Sequence, residues 1–283
     1  MSIGSMRWRA ASALIAAGAA TAGVLALAAP AGASTGTTEI SPEQAGYTAT
    51  GAQFQFVRAD VFLRQPGQYS SEVASYGHSV QLWSSGLVVT VGVTASTSGS
   101  DYTAYATVYD RSTHQVIASN PNAQYCDDHG NCQPGTAVFL PNTDVPMQLS
   151  ISYDPASGSL GMGEVGPDGD FFNSSYTVTG QSFTQARVGT DFGSTPWDGS
   201  YSYTPPAQST KAAAYSNVTL TTYSGHTSTL WSWWVHHKLL ANTEQQSGSD
   251  WVAVPTDLTS GGANFQTWFV PQSGQGRAQP VLH

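Results

Sequence analysis

Cys126 and Cys132 bracket two aspartates and a histidine in the segment Cys126-Asp127-Asp128-His129-Gly130-Asn131-Cys132, and they are the only cysteines of the chain. In an exported protein such a pair closes a disulfide, and the short loop makes the bridge a clamp on a local turn. A metal site built from His129 and the aspartates is the competing reading. It falls short because a structural zinc takes four ligands at spacings this segment lacks. His236 and His237 are adjacent, so on a strand they point to opposite faces and do not share an ion. No metal and no cofactor is expected. Trp231, Trp233, Trp234, Trp251 and Trp268 form a late aromatic group, which packs a core or offers a platform to sugar rings or peptide side chains; on a strand, Trp231 and Trp233 share a face. The sequence carries no nucleotide-binding glycine loop and no His-Glu-x-x-His zinc helix.

The elements that must position such residues read as strands. Alternating or β-branched runs recur at Gln53 to Leu63, Leu87 to Thr94, Tyr102 to Tyr109, Thr136 to Leu140, Met147 to Tyr153, Asn217 to Thr222 and Phe265 to Val270. Asp154 to Gly158, Gly166 to Asp170 and Ser260 to Gly262 supply turns between them. Many short strands at this spacing predict a sandwich or barrel. Ser232 to Asn242 fits helix or strand, and Trp197 to Ala213, poor in aliphatic residues, reads as a long loop.

The ends and the charge narrow the class. Arg7 and Arg9 precede an Ala/Leu/Val-rich stretch from Ala10 to Ala29 that ends in Pro30-Ala31-Gly32-Ala33. This is the pattern of a secretory signal peptide over residues 1–33 with an A-x-A cleavage site. A β domain is expected over 34–270 and a loosely held tail over 271–283. No later segment has the uncharged apolar length of a membrane span. Removing Arg7 and Arg9 leaves seven basic residues against 18 acidic ones, a formal −11, so a nucleic acid partner is disfavoured. Charged residues make up only 10% of the chain; such a surface gains little repulsion when its carboxylates protonate, which fits an acidic medium.

The order of several segments resembles the eqolisins, the glutamic acid peptidases. Glu43-Gln44-Ala45-Gly46-Tyr47 is similar to the family's opening Asn-Trp-Ala-Gly-Tyr. Ser79 to Gly86 followed by Leu87 to Val93 resembles the tryptophan-bearing loop and the strand of the catalytic glutamine. Tyr102 to Tyr109 resembles the aromatic Tyr-x-Ala-Trp-Tyr-Glu-x-Tyr strand, while Val145 to Tyr153, Ala186 to Asp191 and Tyr215 to Thr221 resemble later family segments. The resemblance spans roughly residues 40 to 270 and implies an all-β, antiparallel two-sheet β-sandwich of concanavalin or jelly-roll type. It also implies a site in which a glutamate activates water and a glutamine amide stabilises the oxyanion.

Carried over residue by residue, that site is altered. Thr90 falls where the family has its glutamine and Asp191 where it has its glutamate; Gln81 falls on the family tryptophan and Ser85 on a nearby aspartate, or a two-residue slip puts Trp83 on the tryptophan. Asp191 is one methylene shorter than glutamate, and Thr90 offers a hydroxyl in place of an amide. Losing one oxyanion donor typically costs roughly a hundred- to a thousandfold in rate. The expectation is therefore a secreted, extracellular, catalytically impaired relative that binds an extracellular protein, peptide or polysaccharide, as a monomer. The alternatives are an acid endopeptidase using Asp191 with Thr90 or a neighbouring glutamine, and a glycan-binding lectin-like sandwich.

Overall fold

The computed structural model describes residues 38–41, 44–64, 76–95, 101–192, 210–232, 236–243 and 251–269. The signal segment 1–33, the tail 271–283, most of the 197–213 loop and the side chains of Trp233, Trp234, His236, His237 and Trp251 lie outside these residues.

Nineteen strands follow one another among the described residues. They are β1 (Thr38–Ser41), β2 (Gln44–Thr50), β3 (Phe54–Leu63), β4 (Tyr76–Trp83), β5 (Leu87–Ala95), β6 (Tyr102–Asp110), β7 (Gln115–Ser119), β8 (Gln124–Cys126), β9 (Cys132–Pro134) and β10 (Val138–Phe139), then β11 (Met147–Asp154), β12 (Ser159–Val165), β13 (Phe171–Thr177), β14 (Gln185–Phe192), β15 (Thr210–Thr222), β16 (Thr227–Ser228), β17 (His236–Thr243), β18 (Trp251–Pro255) and β19 (Phe265–Phe269). The described residues contain no α-helix; Ser260–Gly262 is one 3-10 turn.

The pairings form two antiparallel layers. The first runs β1-β17-β2-β14-β4-β5-β6, with β7 and β10 on the far edge of β6. The second runs β18-β19-β15-β3-β11-β12-β13-β8-β9, with β16 on β15. Only β1 and β17 are described pairing in parallel, and β17 meets β18 at Asn242 and Thr243.

The alternation read from the sequence becomes the core. On β11, Met147, Leu149, Ile151 and Tyr153 are buried, while Ser152 and Asp154 are exposed. They belong to one apolar cluster with Val57, Ala59 and Val61 of β3 and Val89, Val91 and Val93 of β5. The first layer differs, because all eight residues of β4 are buried and so both of its faces are shielded.

Three expectations change. Thr210–Ala213, assigned to the long loop, opens β15: Thr210 and Lys211 pair with β19, Ala213 pairs with both β19 and β3, and Ala212 and Ala213 are buried. The ambiguous stretch ending at Asn242 contains β17, a strand from His236. Trp231 lies on a turn before that strand, half exposed at 51%, so it is not a strand residue, while Trp233 lies outside the described residues. Local composition did not reveal these outcomes because cross-strand pairing, set by distant residues, decides them.

Candidate functional site

In an antiparallel sheet, side chains directly opposite each other in register point to the same face. On the side of the first layer away from the apolar core, two such rows matter. One is Gln44, Asp191, Gly77 and Thr94; the next is Gly46, Gly189, Ser79, Gly92 and Tyr105. The second row has almost no side-chain volume for four strands. A Cβ added at Gly92 would overlap the backbone oxygen of His78, and one added at Gly189 would overlap that of Ala45. Here the strands approach so closely that only glycine fits, which leaves a low floor beside Asp191 and lets the long Tyr105 side chain reach across.

Asp191 is the centre of what gathers there. Gln44 Nε2 donates to its Oδ1 at 2.8 Å and the Tyr105 hydroxyl donates to its Oδ2 at 3.0 Å. Gln44 Nε2 also reaches Ser79 Oγ at 3.3 Å, as does Gln81 Nε2, and Trp83 Nε1 donates to Gln81 Oε1 at 2.7 Å. A continuous chain of bonds thus runs from Trp83 through Gln81, Ser79 and Gln44 to Asp191. Burial pushes the Asp191 carboxyl up to about 6, opposed by hydrogen bonding from Ser79, Tyr105 and Gln44 and by the charge of Arg187. The same burial, with the Asp191 charge, drives the Tyr105 hydroxyl well above its ordinary value. A carboxyl poised near 6 and touching an amide donor is able to exchange a proton with a bound group under mildly acidic conditions.

The opposite side of these strands is also polar at one place. His78 Nδ1 lies 2.9 Å from the Tyr215 hydroxyl and 3.2 Å from Thr190 Oγ1, and Thr190 Oγ1 lies 2.6 Å from Thr267 Oγ1. Burial lowers His78 to about 3, so the ring is neutral over most of the pH range. Glu164, buried on the inner face of β12, makes no hydrogen bond of good geometry through either oxygen. Its pKa rises well above the usual range by burial, with the backbone amides of Tyr105 and Gly92 opposing in part.

The residues expected at the site divide. Asp191, Gln81 and Trp83 join through the chain of bonds, so the two candidates for the family tryptophan position are neighbours on one face, bonded to each other. Thr90 pairs with Gln81 across β4 and β5. It therefore lies on the same face as Asp191 but four residues along the strand from its row, since Gln81 pairs in turn with Arg187. Ser85 is exposed in the turn between β4 and β5, outside this constellation. Gln44 and Tyr105 are the members that sequence reasoning missed, although both stand inside segments quoted for the resemblance. The signal available was the spacing of Gly46, Gly77, Gly92 and Gly189, which marks where neighbouring strands approach closely.

The six-residue span closes as expected, with Cys126 bonded to Cys132 at the base of the β8–β9 hairpin. Within that hairpin the ligand atoms of Asp127, Asp128 and His129 lie within 4.8 Å of one another at the surface. His129 pairs with Asp128, whose hydrogen bond and charge raise the imidazole pKa.

The sandwich matches solved structures along most of its length. Scytalido-glutamic peptidase bound to a transition-state analogue superposes with a TM-score of 0.52 at 13% identity, over 81% of this chain and 98% of that one. The fold is that of the eqolisins. SCP-B, a member of the eqolisin family solved with the tripeptide Ala-Ile-His, gives a TM-score of 0.50 at 12% identity over the same shares. No family model and no curated protein matches the sequence. At such identities the likeness establishes the eqolisin-like fold alone, and what the site does must be argued from its own residues.

Proposed function

We propose that this chain is an exported eqolisin-like sandwich that binds extended peptide segments on the Asp191 face and is impaired as a peptidase. The observation that carries this reading is the division of the expected pair: Thr90 stands four residues along the strand from the Asp191 row, and both Asp191 oxygens are already engaged, by Gln44 and by Tyr105. A general base needs its reactive lone pair and an oxyanion donor aimed at one point. The disulfide supports export into oxidising surroundings. Among the described residues no helix is long and apolar enough to cross a membrane.

A second reading keeps the chemistry and changes the partner. Gln44 brings to Asp191 the amide that Thr90 lacks, at 2.8 Å, so a carboxyl–glutamine pair exists on this face in new positions. It favours an acid endopeptidase with Asp191 as base and Gln44 as donor. The glycan-binding alternative calls for exposed rings on the face, and Trp83 is buried there under Arg187.

Digestion of an unfolded protein by the purified mature chain at roughly pH 2 to 7, across the Asp191 titration at about 6, separates these. Binding without cleavage, measured on the same unfolded substrate, is the expected result. Cleavage that disappears in both Asp191→Ala and Gln44→Ala overturns it in favour of the peptidase.

A further inference from the structure

The outer face of the second layer, on the far side of the sandwich from Asp191, carries a groove on β11, β12, β13 and β8. Two rows in register build it. One is Ser150, Gly163, Asn173 and Gln124; the other is Ser152, Gly161 and Ser175, continued by Asn122, whose side-chain amide donates to the Ser175 carbonyl at 3.0 Å. Leu149 and Ile151, which alternate with the two serines on β11, belong to the core, so the rows point outward. The glycines form the floor, and serines and carboxamides form the walls. The groove holds about 460 Å³, within the range of small-molecule sites. At the usual strand spacing it measures about 14 Å from β11 to β8.

The two floor glycines answer no need of the backbone. Neither takes a positive φ. A Cβ added at Gly163 would meet nothing closer than Asn173 Oδ1 at 3.4 Å, and one added at Gly161 would press only on the rotatable Ser152 hydroxyl. At Gly92 and Gly189 the obstacle is a backbone oxygen; here there is room for a side chain and none is present. Glycine weakens a strand interior, and the use that remains for it is the close approach of a ligand. The wall hydroxyls are equally uncommitted. Ser150 Oγ and Ser152 Oγ lie 3.5 Å from the carbonyl oxygens of Gly163 and Gly161, well beyond an ordinary O–H···O length.

We propose that this groove binds a segment of neutral glycan. The site is separate from the Asp191 face and goes beyond the peptide-binding reading. Its lining contains no ionisable side chain, and Arg58, next in the Ser150 row, is already paired with Asp60 at 3.1 Å. A charged ligand would give up hydration here with no opposite charge to replace it. An apolar ligand would leave the carboxamides and hydroxyls without partners. Each hydroxyl of a saccharide both donates and accepts, as do the carboxamides and serines that face it. Half-buried Phe56, in the Ser152 row, and half-buried Phe171, two residues before Asn173, lie on the same outer face and offer apolar surface to sugar rings. An extended peptide pairs with strand edges and seats alternate side chains in pockets, which a glycine floor does not provide.

The test is native affinity electrophoresis of the mature protein in gels containing mixed-linkage β-glucan, laminarin, galactomannan or dextran, with polygalacturonate as the charged control. At least one neutral polysaccharide should retard the wild type, and polygalacturonate should not. Gly163→Val, which puts a branched side chain into the floor, should weaken binding to the retarding polymer at least about tenfold. It should still melt at or above the wild-type temperature, since strands favour valine over glycine. Asn173→Ala and Gln124→Ala, both at exposed positions, should each weaken binding by roughly three- to tenfold, as for one hydrogen bond. Asp191→Asn should leave the retardation unchanged. No retardation by any of the neutral polysaccharides overturns the proposal and leaves the reading of the Asp191 face as it stands. Equal retardation by polygalacturonate also overturns it. Unchanged binding in a folded Gly163→Val protein, or loss in Asp191→Asn alone, places the glycan elsewhere and overturns the groove. Where Gly163→Val does not fold, the Asn173→Ala with Gln124→Ala double variant decides, and full retardation of that protein overturns the groove as well.

Discussion

Replacing Asp191 with Asn removes one titrating group from a buried position, and linkage fixes what that does to stability. In the folded protein the carboxyl titrates at about 6, with burial as the main cause. In the unfolded chain an aspartate titrates near 3.9. Between those values the folded state holds more protons than the unfolded one, so the stability contributed by Asp191 is complete below about 4 and is lost as pH rises through 6. A separation of about two units, at 1.36 kcal/mol each, gives a loss on the order of 3 kcal/mol. Asp191→Asn has no such dependence, while His78 and Glu164 titrate alike in both proteins and largely cancel in the difference. Urea unfolding of the mature wild type and the variant at intervals from about pH 3 to 8 measures it. The wild type minus variant stability should fall by roughly 3 kcal/mol between pH 4 and 6 and be flat on either side. A flat difference throughout, or one that rises with pH, would refute the reasoning. It would mean that Gln44, Tyr105, Ser79 and Arg187 together outweigh burial and hold the carboxylate ionised.

His78 acts with the opposite sign. Its folded value of about 3 lies below the ordinary 6.5, so stability is lost as pH falls from 6.5 towards 3, by several kcal/mol, and His78→Gln should flatten that limb of the unfolding profile. Gly189→Ala should destabilise by about 1–3 kcal/mol in chemical denaturation, because the new methyl meets the Ala45 backbone oxygen; a neutral result would mean that the strands separate freely there. Cys126→Ser with Cys132→Ser should cost no more than about 2 kcal/mol, as the closed loop is short, and thiol titration of the native wild type should find no free thiol.

The sandwich was legible because β11 and its neighbours alternate cleanly, and a period of two survives whatever the partner strands are. Thr210–Ala213 was not legible as strand, since these residues become strand-like only against β19 and β3. Asp191 was singled out through the resemblance, which follows position along the chain. Gln44 and Tyr105 were not, because their meeting with Asp191 depends on register across four strands. Gln44 and Asp191 are 147 residues apart. Nothing local in Glu43-Gln44-Ala45 announces that pairing.

The glycine floor also makes the first layer thin where it is most charged. Above Gly92 and Ser79 stands the Asp191 carboxyl; on the core side of the same strands, close to the backbone of Gly92 and Tyr105, lies Glu164, and Tyr105 feels the charge of both. With no side chains to thicken it, a single sheet of peptide groups separates the two acids like the insulator between two plates of a capacitor. Tyr105 lies in the field of both plates, so each acid strengthens the hold of that one hydroxyl on its proton.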